Sequence, residues 1–354
     1  MDRRQVLAAG GWAVAATGTG SAASAAPFVP APATPRQFEV TTSVDLSGHG
    51  PDILLWLPVF QNAGSYQKVL ETRWDSAGAV VMLRDPTYGA NLLHARWQPD
   101  QAERKLELVQ RVATWDRSPQ DAPQTMTAAE REFWTQASPG VPVGGLARAT
   151  ARRIVQDLAE PRARLRAIYD WVIANTWRDP ATAGCGAGDA GAMLREGKMG
   201  GKCADINGLM VSLCRAAGFP ARDVYGVRLA DSAQFRSLGR SGNVTGAQHC
   251  RAEVYLEDAG WFAVDPADVR KVVLEEKLPV DSPPVRDLAD RLFGGWEGNW
   301  GAYNTLHDVR LAGAPQRPNY HFMMYPCAMD RERTIACLDA AQFQYRITSR
   351  EIVA

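Results

Sequence analysis

The sequence predicts an α+β protein in which an amphipathic helix packs on an antiparallel sheet, preceded by a small antiparallel β-domain. Three patterns support this prediction. Short runs of alternating apolar and polar residues, separated by Gly, Pro and Asp clusters, fill residues 38–115 and are typical of strands. From Cys203 onward, apolar residues recur at three- and four-residue steps, which indicates a helix. Residues 248–266 contain two strand-like runs around a polar turn, which indicates a hairpin.

Length and composition fit a globular protein with a packed core. The chain has 354 residues, enough for two domains, and 46% of them are apolar. Its net charge is zero and it has no basic run, which argues against nucleic acid as a partner. No CxxC, HxxxH or HExxH spacing occurs, so we expect no metal and no other cofactor. The oligomeric state does not follow from composition.

The N-terminus has the pattern of a Tat-type signal peptide, which we place at residues 1–26. Two consecutive arginines at positions 3 and 4 precede an apolar run at residues 6–16, and residues 23–25 offer a small-residue cleavage site. A Sec-type signal is the alternative. We expect the mature protein in the bacterial periplasm or outside the cell, with no transmembrane span after signal removal, because no later apolar run is long enough to cross a bilayer.

The remaining chain divides into segments of different composition. The predicted segments are a Pro-rich linker at 27–36, the β-domain at 37–116, a polar connection with one short helix at 117–146, and the second domain at 147–354. In the second domain we predict helices at 147–158 and 161–175, a short helix near Met193, a strand at 224–229, a loop at 231–247, and tail strands at 320–325 and 342–347.

Cys203 is a candidate nucleophile because of its place at a helix start. It follows the pair Gly200-Gly201, and the helix that it opens ends before Gly218. Free backbone N–H groups and the positive end of the helix dipole favour a thiolate there. Glycines let the backbone approach a substrate closely.

His249 and Asp265, at the two ends of the predicted hairpin, are the candidate base and its orienting carboxylate. A regular ladder that pairs Leu256 with Trp261 would place Asp265 on the wrong face of the sheet. An odd-length turn or a bulge would bring it to the face of His249. We therefore predict a one-residue irregularity in this hairpin.

Two stretches of the sequence resemble transglutaminase-like proteins of the bacterial secreted branch, which have a cysteine protease-like fold. GGKCADINGLMVSLCRAAGFPAR resembles their nucleophile helix, and QHCRAEVYLEDAGWFAVDPAD resembles their histidine and aspartate hairpin. The resemblance covers roughly residues 150–350 and implies a transglutaminase-like or papain-like core, with Cys203 as nucleophile, His249 as base and Asp265 as orienter. Cys250 and Arg251 depart from the small residue and Trp that many members carry after the histidine.

The three residues predict thiol-dependent acyl transfer on an amide of a protein or peptide substrate. The amide is a glutamine side chain or a peptide-like bond, and the thioester intermediate passes to water in an amidase or peptidase, or to an amine in a transglutaminase. Sequence does not choose between these outcomes, and a papain-like peptidase is a further alternative. The alternative of another class is a noncatalytic transglutaminase-like module that binds the cell envelope.

The other five cysteines are predicted to have different structural roles. Cys185, in a glycine-rich loop, is placed to line the mouth of the site. Cys214 reads as a core residue, and strand alternation points Cys250 to the opposite face of the sheet from His249. Cys327 and Cys337 flank a polar turn centred on residue 332, which predicts that they lie opposite each other and form a disulfide.

Overall fold

The structure is a computed structural model that describes residues 34–50, 52–118, 125–314, 320–330 and 333–352. The predicted signal peptide and most of the proline-rich linker lie outside these residues. Within the described ranges, no helix is both long and apolar enough to cross a membrane.

The described residues form eighteen strands, seven α-helices and one short 3-10 helix. The strands are β1 (Arg36–Asp45), β2 (Leu54–Pro58), β3 (Gln67–Asp75), β4 (Ala79–Arg84), β5 (Asn91–Arg96), β6 (Lys105–Thr114), β7 (Trp177–Arg178), β8 (Gly200–Gly201), β9 (Ala221–Arg228), β10 (Gly242–Asn243), β11 (Gln248–Leu256), β12 (Gly260–Val264), β13 (Trp300–Asn304), β14 (His307–Val309), β15 (Tyr320–Phe322), β16 (Cys327–Met329), β17 (Thr334–Ile335) and β18 (Gln344–Ile352). The helices are α1 (Ala128–Thr135), α2 (Gly145–Val155), α3 (Pro161–Asn175), α4 (Ala190–Glu196), α5 (Cys203–Ala216), α6 (Pro266–Glu275) and α7 (Pro283–Arg291), and the 3-10 helix is Arg236–Leu238.

The N-terminal strands form two antiparallel sheets that are completed by the end of the chain. Their strand orders are β10-β18-β1-β6-β3 and β17-β16-β2-β5-β4. Val44, Leu55 and Leu108, from both sheets, share one buried core, as in a sandwich. β18 pairs with β1 along its whole length, so strands from the predicted segment 147–354 belong to these sheets. The predicted division of the chain at residues 117–146 stays a prediction.

The α+β architecture predicted for the second part is confirmed. Its sheet has the order β12-β11-β9-β13, and all of its pairs are antiparallel. Ile206 and Leu209 of α5 pack in one core with Ala252 and Val254 of β11. After α5, Gly218 adopts a positive φ of 93° and reverses the chain toward β9, at the predicted stop.

The predicted irregularity of the hairpin is also confirmed. Leu256 pairs with Gly260, not with Trp261, so three residues form the turn between β11 and β12. Gly260 closes this turn with a φ of +68°, which favours glycine. The register pairs Ala252 with Val264, so the next residue, Asp265, comes to the face of Arg251 and hence of His249.

Candidate active site

The N-terminal end of α5 places Cys203 at its first turn. Cys203 is the first residue of the helix and Lys202 is its N-cap residue. Only 3% of Cys203 is exposed, yet its side chain lines a cavity of about 940 Å³ together with His249. The thiol is thus shielded from bulk solvent and still open to a substrate in the cavity.

Asp205 anchors the glycine-rich loop against the start of α5. Its Oδ1 accepts the backbone N–H groups of Ala187 and Gly188 at 2.8 and 3.0 Å. A Cβ atom at Gly186, where φ is +100°, would lie 1.8 Å from Oδ2 of Asp205, so this close approach requires glycine. The loop in turn brings Cys185 to Cys203, because Cys185 O accepts the N–H of Ala204 at 2.9 Å.

His249 and Asp265 meet in the buried end of the hairpin. His249 Nε2 lies 2.7 Å from Asp265 Oδ2, and the two residues are 3% and 0% exposed. Asp265 Oδ1 accepts bonds from Asn207 Nδ2 at 3.2 Å and from the N–H of Asp268 at 3.1 Å. Since Nε2 is engaged by Asp265, Nδ1 is the nitrogen left to exchange a proton with Cys203.

The surroundings of Cys203 favour its thiolate. A hydrogen bond from the Cys185 thiol lowers the pKa of Cys203 well below the usual thiol value, and a hydrogen bond from the Cys250 thiol is the second-largest cause. The hydrogen bond and charge of His249 act in the same direction, against burial. The hydrogen bond to Cys203, with burial, raises the pKa of Cys185, and burial chiefly raises that of Cys250. Of these three thiols, Cys203 is therefore the one whose ionised form is favoured.

Two carboxylates favour the cationic form of His249. Burial alone would lower the pKa of His249, but the charges of Asp268 and Asp265 outweigh it and raise this pKa above its usual value. A lowered pKa at the thiol and a raised pKa at the imidazole favour a thiolate–imidazolium pair.

Sequence reasoning missed a second carboxylate and its partner. Asp268 Oδ1 lies 3.3 Å from His249 Nε2 and 2.5 Å from Arg228 Nη2, and all three side chains are buried. The signal was present: Asp265, Pro266 and Asp268 are the N-cap, N1 and N3 residues of α6, a pattern that marks a helix start. The strand-like pattern of residues 248–266 predicts only a strand up to Pro266, whereas α6 begins at that residue.

The departure at Arg251 also has a structural explanation. The guanidinium group of Arg251 contacts both Trp296 and Trp300, whose ring centroids lie 4.9 and 4.7 Å from its central carbon. Its Nε lies 3.6 Å from Asp265 Oδ2. Trp300 donates its indole N–H to the backbone oxygen of His249 at 2.9 Å, which fixes the histidine strand.

Among the described residues, one group has donor atoms close enough together for a metal ion. One ligand atom from each of His249, Asp265 and Asp268 lies within 4.8 Å of the others. Arg228 and Arg251 already face these two carboxylates with guanidinium groups, at 2.5 and 3.6 Å. The donor set therefore fits a hydrogen-bonded ion cluster better than a metal centre.

The structure contradicts the predicted disulfide. Cys327 and Cys337 are both free thiols. β16 and β17 pair Ala328 with Ile335, so the register is one residue away from the one that would set the two cysteines opposite each other. The Cys327 thiol instead donates to the Tyr320 hydroxyl at 3.3 Å, while Cys337 lines the active-site cavity.

We expect Asp268→Asn to weaken thiolate formation at Cys203. The change removes a negative charge that raises the pKa of His249, and a weaker imidazolium stabilises the thiolate less. The midpoint of the pH dependence of iodoacetamide alkylation should therefore move to higher pH. Asp287→Asn, on the exposed face of α7, is the matched control. Asp268→Asn also leaves Arg228 without its carboxylate, so its melting curve is needed to show that the fold persists. An unshifted midpoint in a folded Asp268→Asn protein would contradict the assignment.

Comparisons with known proteins indicate the family and the fold of the chain. Residues 148–266 match the family model of the transglutaminase-like superfamily. The chain is 32% identical over 338 residues to an uncharacterized protein of Haemophilus influenzae, covering 89% of this chain and 91% of that one. A protein of Cytophaga hutchinsonii described as a candidate cysteine protease has a similar fold, with a TM-score of 0.56, 12% identity, and coverage of 91% of this chain and 92% of that one. The periplasmic domain of TgpA from Pseudomonas aeruginosa is a more distant likeness, with 20% identity, a TM-score of 0.34, and coverage of 68% of this chain and 90% of that one.

Proposed function

Because the chain belongs to the transglutaminase-like superfamily, we propose that it is a cysteine-dependent enzyme that transfers the acyl group of an amide through Cys203, His249 and Asp265. The observation that carries this proposal is the buried 2.7 Å contact between His249 and Asp265, beside a thiol whose pKa is lowered. A noncatalytic binding module has no need to hold a buried ion cluster next to an activated thiol.

In the proposed first step, the Cys203 thiolate attacks the carbonyl carbon of the substrate amide. Negative charge develops on the carbonyl oxygen, and the backbone N–H of Cys203 at the start of α5 is the candidate donor to it. His249 gives its proton to the amide nitrogen as the carbon–nitrogen bond breaks. The products of this step are a free amine and a thioester on Cys203.

In the proposed second step, a nucleophile attacks the thioester. His249 accepts a proton from the nucleophile, and Cys203 leaves as a thiolate, which restores the starting state. Water as the nucleophile gives a carboxylic acid, as in an amidase or peptidase, whereas a primary amine gives a new amide, as in a transglutaminase. Both products follow from one thioester, so the assay for function must detect both.

Asp265 and Asp268 act on His249 in different ways in this mechanism. Asp265 accepts the Nε2–H and thereby keeps Nδ1 free to take the proton of Cys203. Asp268 adds a second negative charge that supports the imidazolium and is itself balanced by Arg228. We propose further that the reaction takes place after export, on the basis of the twin arginines near the N-terminus.

The proposal is tested by the pH dependence of Cys203 alkylation. In the native protein, Cys203 should react with iodoacetamide well below about pH 8.5, where free thiols become reactive. His249→Ala removes the imidazolium, so the midpoint should rise toward that value. His49→Ala is the control, since His49 contacts Gln342 in the β-sandwich. A His249→Ala protein with the native pH profile would show that the two residues do not interact.

A further inference from the structure

The lining of the cavity around Cys203 carries an excess of positive charge although the whole chain is neutral. Its lining contains twice as many basic as acidic side chains, six against three, while the chain has 39 of each. The six basic residues are Arg178, Lys202, Arg228, Arg236, Arg240 and Lys271. Positive charge is therefore gathered where the substrate must bind, and a concave wall focuses its field.

Three of these six basic groups form ion pairs with carboxylates of the protein. Arg228 pairs with Asp268, and Arg178 and Lys271 share Glu275 at 3.2 and 3.8 Å. The other two acidic groups of the lining accept hydrogen bonds from neutral donors and have no cation within 4.0 Å among the described residues. Glu276 accepts the N–H of Ser237, and Asp231 accepts the hydroxyl of Ser241.

The other three cations have no acidic partner within 4.0 Å among the described residues. Lys202 directly precedes the nucleophile. Arg236 begins the 3-10 helix, and Arg240 follows two residues after its end; both line the cavity and are exposed. Guanidinium groups without an acidic partner are suited to carboxylates, which they bind with two parallel hydrogen bonds.

The inner wall adds a cation that responds to a bound anion. Burial, together with the charge of Arg228, lowers the pKa of Lys271 to about 8. An anion beside Lys271 would favour its charged form, so binding would be strongest at or below neutral pH. Tyr325, Phe343 and Tyr345 supply an aromatic wall for the uncharged part of a ligand.

We propose that the acyl substrate of Cys203 is anionic, namely an acidic peptide or peptide-like amide with a carboxylate close to the amide that is attacked. Lys202, Arg236 and Arg240 are the residues that recognise its negative charge. The inference rests on the proposed function and adds the class of substrate to it. Amides flanked by basic residues should be poor substrates, because the same field repels them.

Two alkylating reagents of similar size and different charge test the field at the nucleophile. Iodoacetate is an anion and iodoacetamide is neutral, and mass spectrometry of the Cys203 peptide gives the rate for each. The measured quantity is the ratio of the two rates, compared between the native protein and Arg236→Gln/Arg240→Gln. The matched control, Arg152→Gln/Arg153→Gln, removes the same charge from the exposed side of α2, away from the cavity.

We expect the iodoacetate to iodoacetamide ratio to fall about three- to tenfold in the Arg236→Gln/Arg240→Gln protein at low salt, and the difference to shrink at high salt. The control protein should keep the native ratio. An unchanged ratio in the cavity variant, or an equal fall in the control, would overturn the proposal. The rate with neutral iodoacetamide reports separately on the proposed function, because an unreactive Cys203 would be slow with this reagent in all three proteins.

A mixture of peptides then tests the substrate class with the native enzyme. Products read by mass spectrometry should be enriched in Asp and Glu next to the reacted amide, and Arg236→Gln/Arg240→Gln should lose this enrichment. Enrichment in Lys and Arg, or products with no charge preference, would refute the anionic class while leaving the acyl-transfer chemistry in place.

Discussion

Replacing Cys203 with alanine is expected to abolish acyl transfer, with a loss of turnover on the order of 10⁴-fold or more. No other cysteine can take its place. The pKa of Cys203 is lowered, whereas the pKa of every other cysteine is raised. Burial is the largest cause of the increase at all of these except Cys185, where the hydrogen bond to Cys203 is the largest cause. The fold should persist, because alanine fits a helix start and the change removes one sulfur atom from a position that is 3% exposed.

The assay follows both fates of the thioester in one experiment. Peptide cleavage or deamidation reports attack by water, and incorporation of a fluorescent primary amine reports attack by an amine. Cys214→Ala is the matched control, because Cys214 lies in the same helix and is fully buried in its core. The control should keep activity with at most a modest loss of stability. Activity near the native level in a folded Cys203→Ala protein would exclude the mechanism.

The parts of the site that sequence predicted are those set by local patterns. The helix start at Cys203 follows from a glycine pair and the apolar spacing after it. The contact between His249 and Asp265 was predictable because the two residues are only 16 positions apart and lie in one hairpin. The period of a strand fixes the sheet face on which each side chain lies. An irregularity in the hairpin could be predicted, because only an odd-length turn or a bulge makes the two faces agree. The structure has the odd-length turn.

The parts that sequence did not predict depend on distant pairing or on a register of one residue. β1 pairs with β18 across more than 300 residues, and nothing local to either strand indicates its partner. Strand β3 carries only a weak sequence signal, because its residues are mostly exposed or half-buried and lack a clear apolar alternation. The predicted disulfide between Cys327 and Cys337 was wrong although a turn does lie between them, because the strand register differs by one residue from the predicted one.

The pair of Arg228 and Asp268 shows why the ion cluster is harder to predict than the triad. Its two members come from β9 and α6, 40 residues apart. A buried ion pair leaves no periodic trace in the sequence, because each residue alone resembles a solvated charge. Only the assembled fold shows that both side chains are buried.

Asp265→Asn is expected to reduce turnover about 10³- to 10⁴-fold while leaving the fold intact, and the reason is the tautomer of His249. Oδ1 of residue 265 accepts bonds from Asn207 and from the N–H of Asp268. These donors should hold the amide oxygen of Asn on their side and turn its NH₂ group toward His249. Nε2 must then accept a hydrogen bond, so the proton of the neutral imidazole moves to Nδ1. That nitrogen can no longer take the proton of Cys203.

Comparison with Asp265→Ala separates the tautomer from helix capping. Asp265 is the N-cap residue of α6, and asparagine caps a helix about as well as aspartate, so Asp265→Asn should change the free energy of unfolding by no more than about 1 kcal/mol. Alanine has no side chain that can cap the helix. Asp265→Ala should therefore lower the free energy of unfolding by a further amount of about 0.5–2 kcal/mol, measured by denaturant unfolding. Both variants should lose most turnover, but only the alanine variant should lose much stability. An Asp265→Asn enzyme with turnover near the native level would mean that Asp265 serves the helix and not the histidine.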